Sequence, residues 1–314
     1  MPGSITCAVP RLSGSQLCFR IGLARGRTAH YPLDSMDFVL MDLERPELCS
    51  RHAHWCTGDL TGRLLEFLSC AEGVDGRSDQ RLEPLFERIL RARRPSGLFG
   101  RYAGQPRNTP PEEDVFSGAD RLFPGLLRYY GLTGDWRALE AAVGLAERIM
   151  SVADEWRRRI EPPAPNPINN WVTEPFARLY EITRDARYLG FPALVAEHLV
   201  SCQRVHSHGF MSTLRGLQLL ALYTGDPAWN EKPEHYRRMI AEEHYEMPDG
   251  CVAEMFPHNY RTEGCSIADW LMLNLNAGLI AADDVAYDKA EAILWNALFF
   301  NQFVVYSRIC RYLP

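Results

Sequence analysis

The chain has 314 residues, 46% of them hydrophobic and 24% charged, with a formal net charge of −6. That length admits one large domain or two ordinary ones and a substantial core. The acidic balance argues against nucleic acid or an anionic membrane as the main partner. No stretch approaches a membrane span, and no basic segment followed by a long apolar run marks a signal peptide. The nine cysteines are an odd number, scattered and without a CxxC pair. That usage predicts reduced thiols and a cytoplasmic location rather than a disulfide scaffold.

In chain order, residues 1–50 read as an N-terminal extension, irregular or with short strands near 15–22 and 36–43. Residues 51–303 are dominated by helical periodicity, and 304–314 form an atypical tail. One pattern recurs inside the helical region. Apolar helical stretches stop at Thr133-Gly-Asp135, Thr183-Arg-Asp185 and Thr224-Gly-Asp226, with a looser copy ending in Asp283-Asp284. A second helix follows each turn, and Thr or Asp supplies its cap. The following helices are amphipathic: Leu139, Val143, Ala146, Ile149 and Met150 share one face, as do Tyr287, Ala290, Ile293, Leu294 and Leu298.

Five hairpins follow from this, spanning 57–93, 117–151, 168–201, 207–244 and 263–299, joined by Pro-rich loops such as 94–116 and 159–167. A repeat of roughly 40–60 residues, two helices each, means stacked helical hairpins. The expected fold is all-α, a toroid of the (α/α)6-barrel type with about five of its six hairpins in this chain. Its first and last hairpins would then carry apolar flanks without a neighbour, predicting oligomerisation or aggregation through the open edge.

In such a toroid the segments before each inner helix converge on one mouth. Here those segments hold Trp55 and Asp59, Asn170 and Trp171, His206 and His208, and the run from Glu254 to Cys265. Aromatic faces that stack on sugars, beside groups that bond hydroxyls, suit a carbohydrate. Glu254 and Glu263 on one loop could supply a general acid and a second carboxyl group for glycosidic cleavage. Exposed loop carboxylates of no special role are the plainer alternative. Glu263 and Cys265, two residues apart, could be half of a zinc site, with Cys251, His258, His206 and His208 as further candidates. A buried Cys beside a capping carboxylate is the plainer reading there. Ser266 and Asp269 read as a capping box opening the next helix, and Ser117 with Asp120 as another. There is no Walker motif, GxGxxG after a strand, GxSxG elbow or HExxH, so nucleotide and serine-hydrolase chemistry are not indicated.

With the mouth loops and the Glu-x-Cys in view, the chain resembles the β-L-arabinofuranosidase family of glycoside hydrolases. The resemblance covers roughly 50–300 and is sharpest at Arg261–Trp270 and Tyr287–Asn296. It implies that Glu263 and Cys265 ligate zinc, that Glu254 is the acid/base, and that His206 or His208 contacts the sugar. It further implies a retaining mechanism in which a zinc-held thiolate forms a thioglycosyl intermediate, acting on a plant-type or microbial glycan such as a β-L-arabinofuranoside. The chain departs from the pattern at the nucleophile. The family carries it in a Cys-Cys pair beyond this motif, which also completes the zinc site, and the sequence has no Cys-Cys, only Cys310. Two alternatives therefore stand beside the hydrolase. One is a non-catalytic carbohydrate-binding or scaffold protein. The other is an (α/α)6 lyase or unsaturated-uronyl hydrolase working through Asp59, Asp120 and His208.

Overall fold

A computed structural model describes residues 15–45, 58–100, 113–153, 172–199, 205–256 and 261–302, with side chains for all of these but 113–120. The chain divides into two compact units, Met1–Arg148 and Ile149–Pro314. The boundary falls inside the region that the sequence presents as one toroid.

The first unit opens with α1 (Gln16–Thr28), α2 (Met36–Val39) and α3 (Met41–Glu44). These are helices where short strands were expected near 15–22 and 36–43. Local caps and tertiary anchors decide the matter. Ser15 Oγ accepts the Cys18 N–H at 3.2 Å, and Arg25 grips Asp75 with two hydrogen bonds of 2.8 Å. Ser35 caps α2, while Val39, Leu40 and Leu43 are fully buried at a helical spacing. Asp42 accepts the Leu60 N–H at 2.9 Å and the Thr61 hydroxyl at 2.6 Å. The N-terminal segment is thus part of the core around α4 (Asp59–Asp75) rather than an irregular extension.

Two hairpins complete this unit: α4 with α5 (Leu82–Arg91), and α6 (Glu113–Thr133) with α7 (Trp136–Ser151). On α5, Leu82, Leu85, Phe86 and Ile89 are buried, an i, i+3, i+4, i+7 stripe. Phe86 stacks on Tyr129 with ring centres 4.0 Å apart. Helices α4 and α6 meet closely at Gly62, where a Cβ would lie 2.4 Å from the Arg121 backbone.

The second unit holds three hairpins: α8 (Thr173–Thr183) with α9 (Gly190–His198), α10 (Ser207–Thr224) with α11 (Ala228–Glu242), and α12 (Gly264–Ala281) with α13 (Asp284–Ile293). A short 3-10 turn, Ala186–Leu189, precedes α9, and a π-helical turn, Leu294–Leu298, follows α13. The first helix of each later pair lies inside. Helix α10 buries Phe210, Met211, Leu214, Leu217 and Leu220, whereas α11 buries only Pro233, Tyr236 and Ile240. All five expected hairpins are present among the described residues.

The Thr-x-Asp turns have one construction. Thr133 Oγ1 donates to the Tyr129 carbonyl (2.8 Å) and accepts the Asp135 N–H (3.2 Å), while Asp135 Oδ1 accepts the Arg137 N–H (3.0 Å). Thr183–Asp185 and Thr224–Asp226 repeat all three contacts. Thr closes the first helix, Asp caps the second, and the residue between is left-handed (Gly134, Arg184, Gly225). At Ala281-Ala-Asp283 the Thr is missing, but Asp283 still accepts the Val285 N–H at 3.0 Å, and Ala282 is left-handed at φ 52°.

Candidate functional site

Two short strands, β1 (Val205–His206) and β2 (Met255–Phe256), pair antiparallel, Val205 opposite Phe256 and His206 opposite Met255. The Ser207 N–H donates to the Glu254 carbonyl at 2.8 Å, and Glu254 N–H to the Arg261 carbonyl at 2.9 Å. This ladder sets His206 beside Glu254 and carries the chain to Glu263, the extended N-cap of α12. His206 Nε2 and Glu263 Oε2 lie 2.9 Å apart. The nearest donor atoms of His206, Glu254 and Glu263 all fall within 4.8 Å of one another.

Burial works against ionisation of Glu263. The hydrogen bond from the Cys265 thiol and the neighbouring His206 and His208 rings outweigh it, holding the carboxyl below the usual glutamate range. Its place at a helix N-terminus acts in the same direction. Glu254 is ion-paired to Arg261 at 3.0 Å, and that arginine is 75% exposed. His206 Nδ1 is buried without a hydrogen-bond partner. Cys251, offered by the sequence as a further ligand, is buried and outside the group of converging donor atoms, and burial beside Asp249 pushes its thiol up to about 11.

Beneath this cluster the inner helices are tied by charge. His208 Nδ1 bonds Asp269, which also receives Arg215, and Arg215 reaches Glu174 Oε2 at 2.5 Å. Glu174 pairs in turn with Arg178 at 2.7 Å. Ser207 and Ser266 hydroxyls meet at 2.8 Å. The capping-box reading of Ser266 and Asp269 is therefore corrected. The helix starts at Gly264, so both residues lie inside it and face the core, with Ser266 0% and Asp269 1% exposed.

Of the sequence-predicted site residues, the structure brings together Glu254, His206, Glu263 and Cys265. His208 lies close by, its ring 6.0 Å from that of His206, but its Nδ1 is committed to Asp269. Asp59 belongs to the other unit, at the start of α4, paired with Arg63 (2.9 Å) and Arg121 (3.5 Å). Trp55, Asn170, Trp171, His258 and Cys310 lie outside the described residues, as does the Asp120 side chain. The charge relay through Asp269, Arg215 and Glu174 was not anticipated; only the 3.6-residue spacing on α10 and α12 could have hinted at it.

No family model matches the sequence, and no curated protein matches it. Solved structures do. The chain is similar to a GH127 β-arabinofuranosidase, with a TM-score of 0.63 and 16% identity over 89% of this chain and 50% of that one. It is similar to a GH127 β-L-arabinofuranosidase from Geobacillus stearothermophilus T6, with a TM-score of 0.65 and 15% identity over 94% and 59%. A third structure, described as a glycoside hydrolase, gives 0.52 and 12% over 75% and 46%. At these identities the likeness shows the fold, the all-α hairpin fold expected from the sequence. The chain spans 50% to 59% of the two arabinofuranosidase chains. Among the described residues no helix is long and apolar enough to cross a membrane.

Proposed function

We propose that the chain is a glycoside hydrolase whose centre is the Glu254–Glu263–His206 cluster. The carrying observation is the close approach of two carboxyl groups, within 4.8 Å, at the start of an inner helix. Retaining glycosidases hold their carboxyl pair roughly 5–5.5 Å apart, and inverting ones roughly 6.5–9.5 Å. A pair this close leaves no room for an inverting water and supports a retaining reaction. Glu263, held ionised, keeps negative charge beside the anomeric carbon. Glu254 is the acid/base, and His206 and His208 orient the sugar's hydroxyls. A furanoside of the β-L-arabinofuranoside class is the first substrate to try, on the strength of the shared fold.

Zinc suits the residues present. Glu263 and Cys265 offer an oxygen and a sulfur donor that already touch each other, and helix α12 begins there, which favours the thiolate. When bound, zinc would lower the thiol's pKa and fix its orientation.

One observation favours the non-catalytic alternative. Glu254 is engaged by Arg261 at 3.0 Å, whereas a general acid must turn its carboxyl group to the leaving oxygen. A panel of nitrophenyl furanosides and pyranosides separates the two. The hydrolase reading expects turnover with retention, and Glu254→Gln lowering kcat/KM by about 10²–10⁴-fold. Sugar binding without turnover by the wild-type chain would leave only the binding protein.

A further inference from the structure

We propose that Asp269, pinned by Arg215, is a positioning residue that fixes His208 in the tautomer protonated at Nδ1. The other ring nitrogen, Nε2, is then a hydrogen-bond acceptor. The sugar that it recognises is a neutral one offering a hydroxyl there, not a uronate. The choice of sugar rests on the hydrolase reading above; the tautomer stands without it.

An ionised carboxylate has no hydrogen to give, so the buried contact between Asp269 Oδ2 and His208 Nδ1 needs the proton on Nδ1. A hydrogen bond at one ring nitrogen settles in this way what the other can do. The second oxygen of Asp269, Oδ1, is taken by Arg215 Nη1. Arg215 cannot swing away, because its Nη2 reaches Glu174 Oε2 at 2.5 Å, and Glu174 Oε1 is held by Arg178 Nε at 3.0 Å. Three inner helices share this row: Glu174 and Arg178 on α8, His208 and Arg215 on α10, and Asp269 on α12. Its two carboxylates and two guanidinium groups balance. A second proton on His208 would add a charge that the row does not need, at a residue only 6% exposed. Glu263 lies within electrostatic reach of His208 but has its own partners, His206 Nε2 at 2.9 Å and the Cys265 thiol.

The two nitrogens of an imidazole point to opposite edges of the ring. A ring gripped at Nδ1 therefore turns Nε2 away from the charge row. The His206 ring stands edge-on 6.0 Å away, so His208 borders the cluster at which the sugar would bind. An acceptor there takes a hydroxyl hydrogen. A carboxylate brings only lone pairs and would meet a lone pair. The same residue thus weighs against the uronyl-hydrolase alternative.

Asp269→Asn is the decisive variant, because Arg215 dictates how the new amide sits. Arginine has donors only, so the amide must turn its oxygen to Arg215 and its NH2 to His208. Nδ1 then has to accept, and the ring proton moves to Nε2. The same exchange in a serine protease triad leaves the geometry intact and traps the wrong tautomer. The full chain, labelled with ¹⁵N-histidine and free of ligand, is read by NMR near neutral pH. The His208 signal is identified by its loss in His208→Gln. Wild type should show a neutral ring protonated at Nδ1, and Asp269→Asn the reverse with an unchanged circular dichroism spectrum. A wild-type ring protonated at Nε2, or at both nitrogens, would overturn the proposal, and that measurement decides even where Asp269→Asn does not fold. So would an Asp269→Asn protein that folds and keeps the wild-type tautomer.

Nitrophenyl glycosides then test the sugar. Wild type should prefer neutral glycosides to the matching uronides in kcat/KM. Asp269→Asn should narrow that preference about ten-fold, mainly through KM, since its Nε2–H now meets a carboxylate. A wild type that favours uronides, or a preference unmoved by the inverted tautomer, overturns the sugar assignment. Where neither series is cleaved, the hydrolase reading fails and the tautomer result is untouched.

Discussion

Asp59 and Glu263 occupy matching places in the two units, each at the start of an inner helix, yet their company differs. Asp59 lies between two guanidinium groups, Arg63 and Arg121. Glu263 lies between an imidazole and a thiol. Arginine keeps its proton at any working pH and has no lone pair to give, so the Asp59 cluster can only hold its shape. Histidine and cysteine exchange protons and ligate metals, so the Glu263 cluster can change state. The partner, more than the carboxylate, separates a structural site from a chemical one.

The largest expected effect tests the fixed kind of charge. Arg215→Ala takes one cationic partner from Asp269, left with His208, and one from Glu174, left with Arg178; both carboxylates are little exposed, and the loss should be about 3 kcal/mol in urea unfolding. Next comes the direct contrast. Asp59→Ala should cost about 1–3 kcal/mol, because it breaks charge-assisted bonds at a buried position. Glu263→Ala in metal-free buffer should cost less than about 1 kcal/mol, since its side chain is one-third exposed. Equal losses would break the comparison.

Acid sharpens it further. Burial raises the pKa of Asp75, but the Arg25 hydrogen bond and the Arg77 N–H lower it more, leaving it below its ordinary 3.8. A depressed carboxyl contributes stability that is complete above the ordinary value and lost as pH falls through the folded one. The melting temperature should therefore drop below about pH 4, and Arg25→Gln should flatten that drop. The smallest effect is a gain. Ala282→Gly relieves a left-handed alanine and should add about 0.4–1 kcal/mol, read as a raised urea midpoint.

The hairpins were legible because the Thr-x-Asp turn is a local device whose three hydrogen bonds lie within a few residues. The N-terminal helices were not, since Arg25–Asp75 and Asp42–Thr61 join segments far apart in sequence. The same distinction runs through the site. Glu263 and Cys265 announced themselves by spacing. His206 joins them from 57 positions away through a two-residue ladder, and no periodicity records so short a strand. Asp269 was misassigned because a capping box and a buried helical carboxylate look alike when the helix start is misjudged by three residues, Ser266 for Glu263 as the N-cap.

The repeated turn has a consequence for change over time. At Thr183–Asp185, Thr224–Asp226 and Ala281–Asp283 each hairpin of the second unit is closed by a clasp with no slack. Insertions there would unclip two helices at once. Among the described residues, the opposite ends, where β1, β2 and the helix starts lie, carry no such clasp. New loops can be grafted at those ends while the scaffold is left alone, so that is where a hairpin chain of this kind can acquire a different specificity.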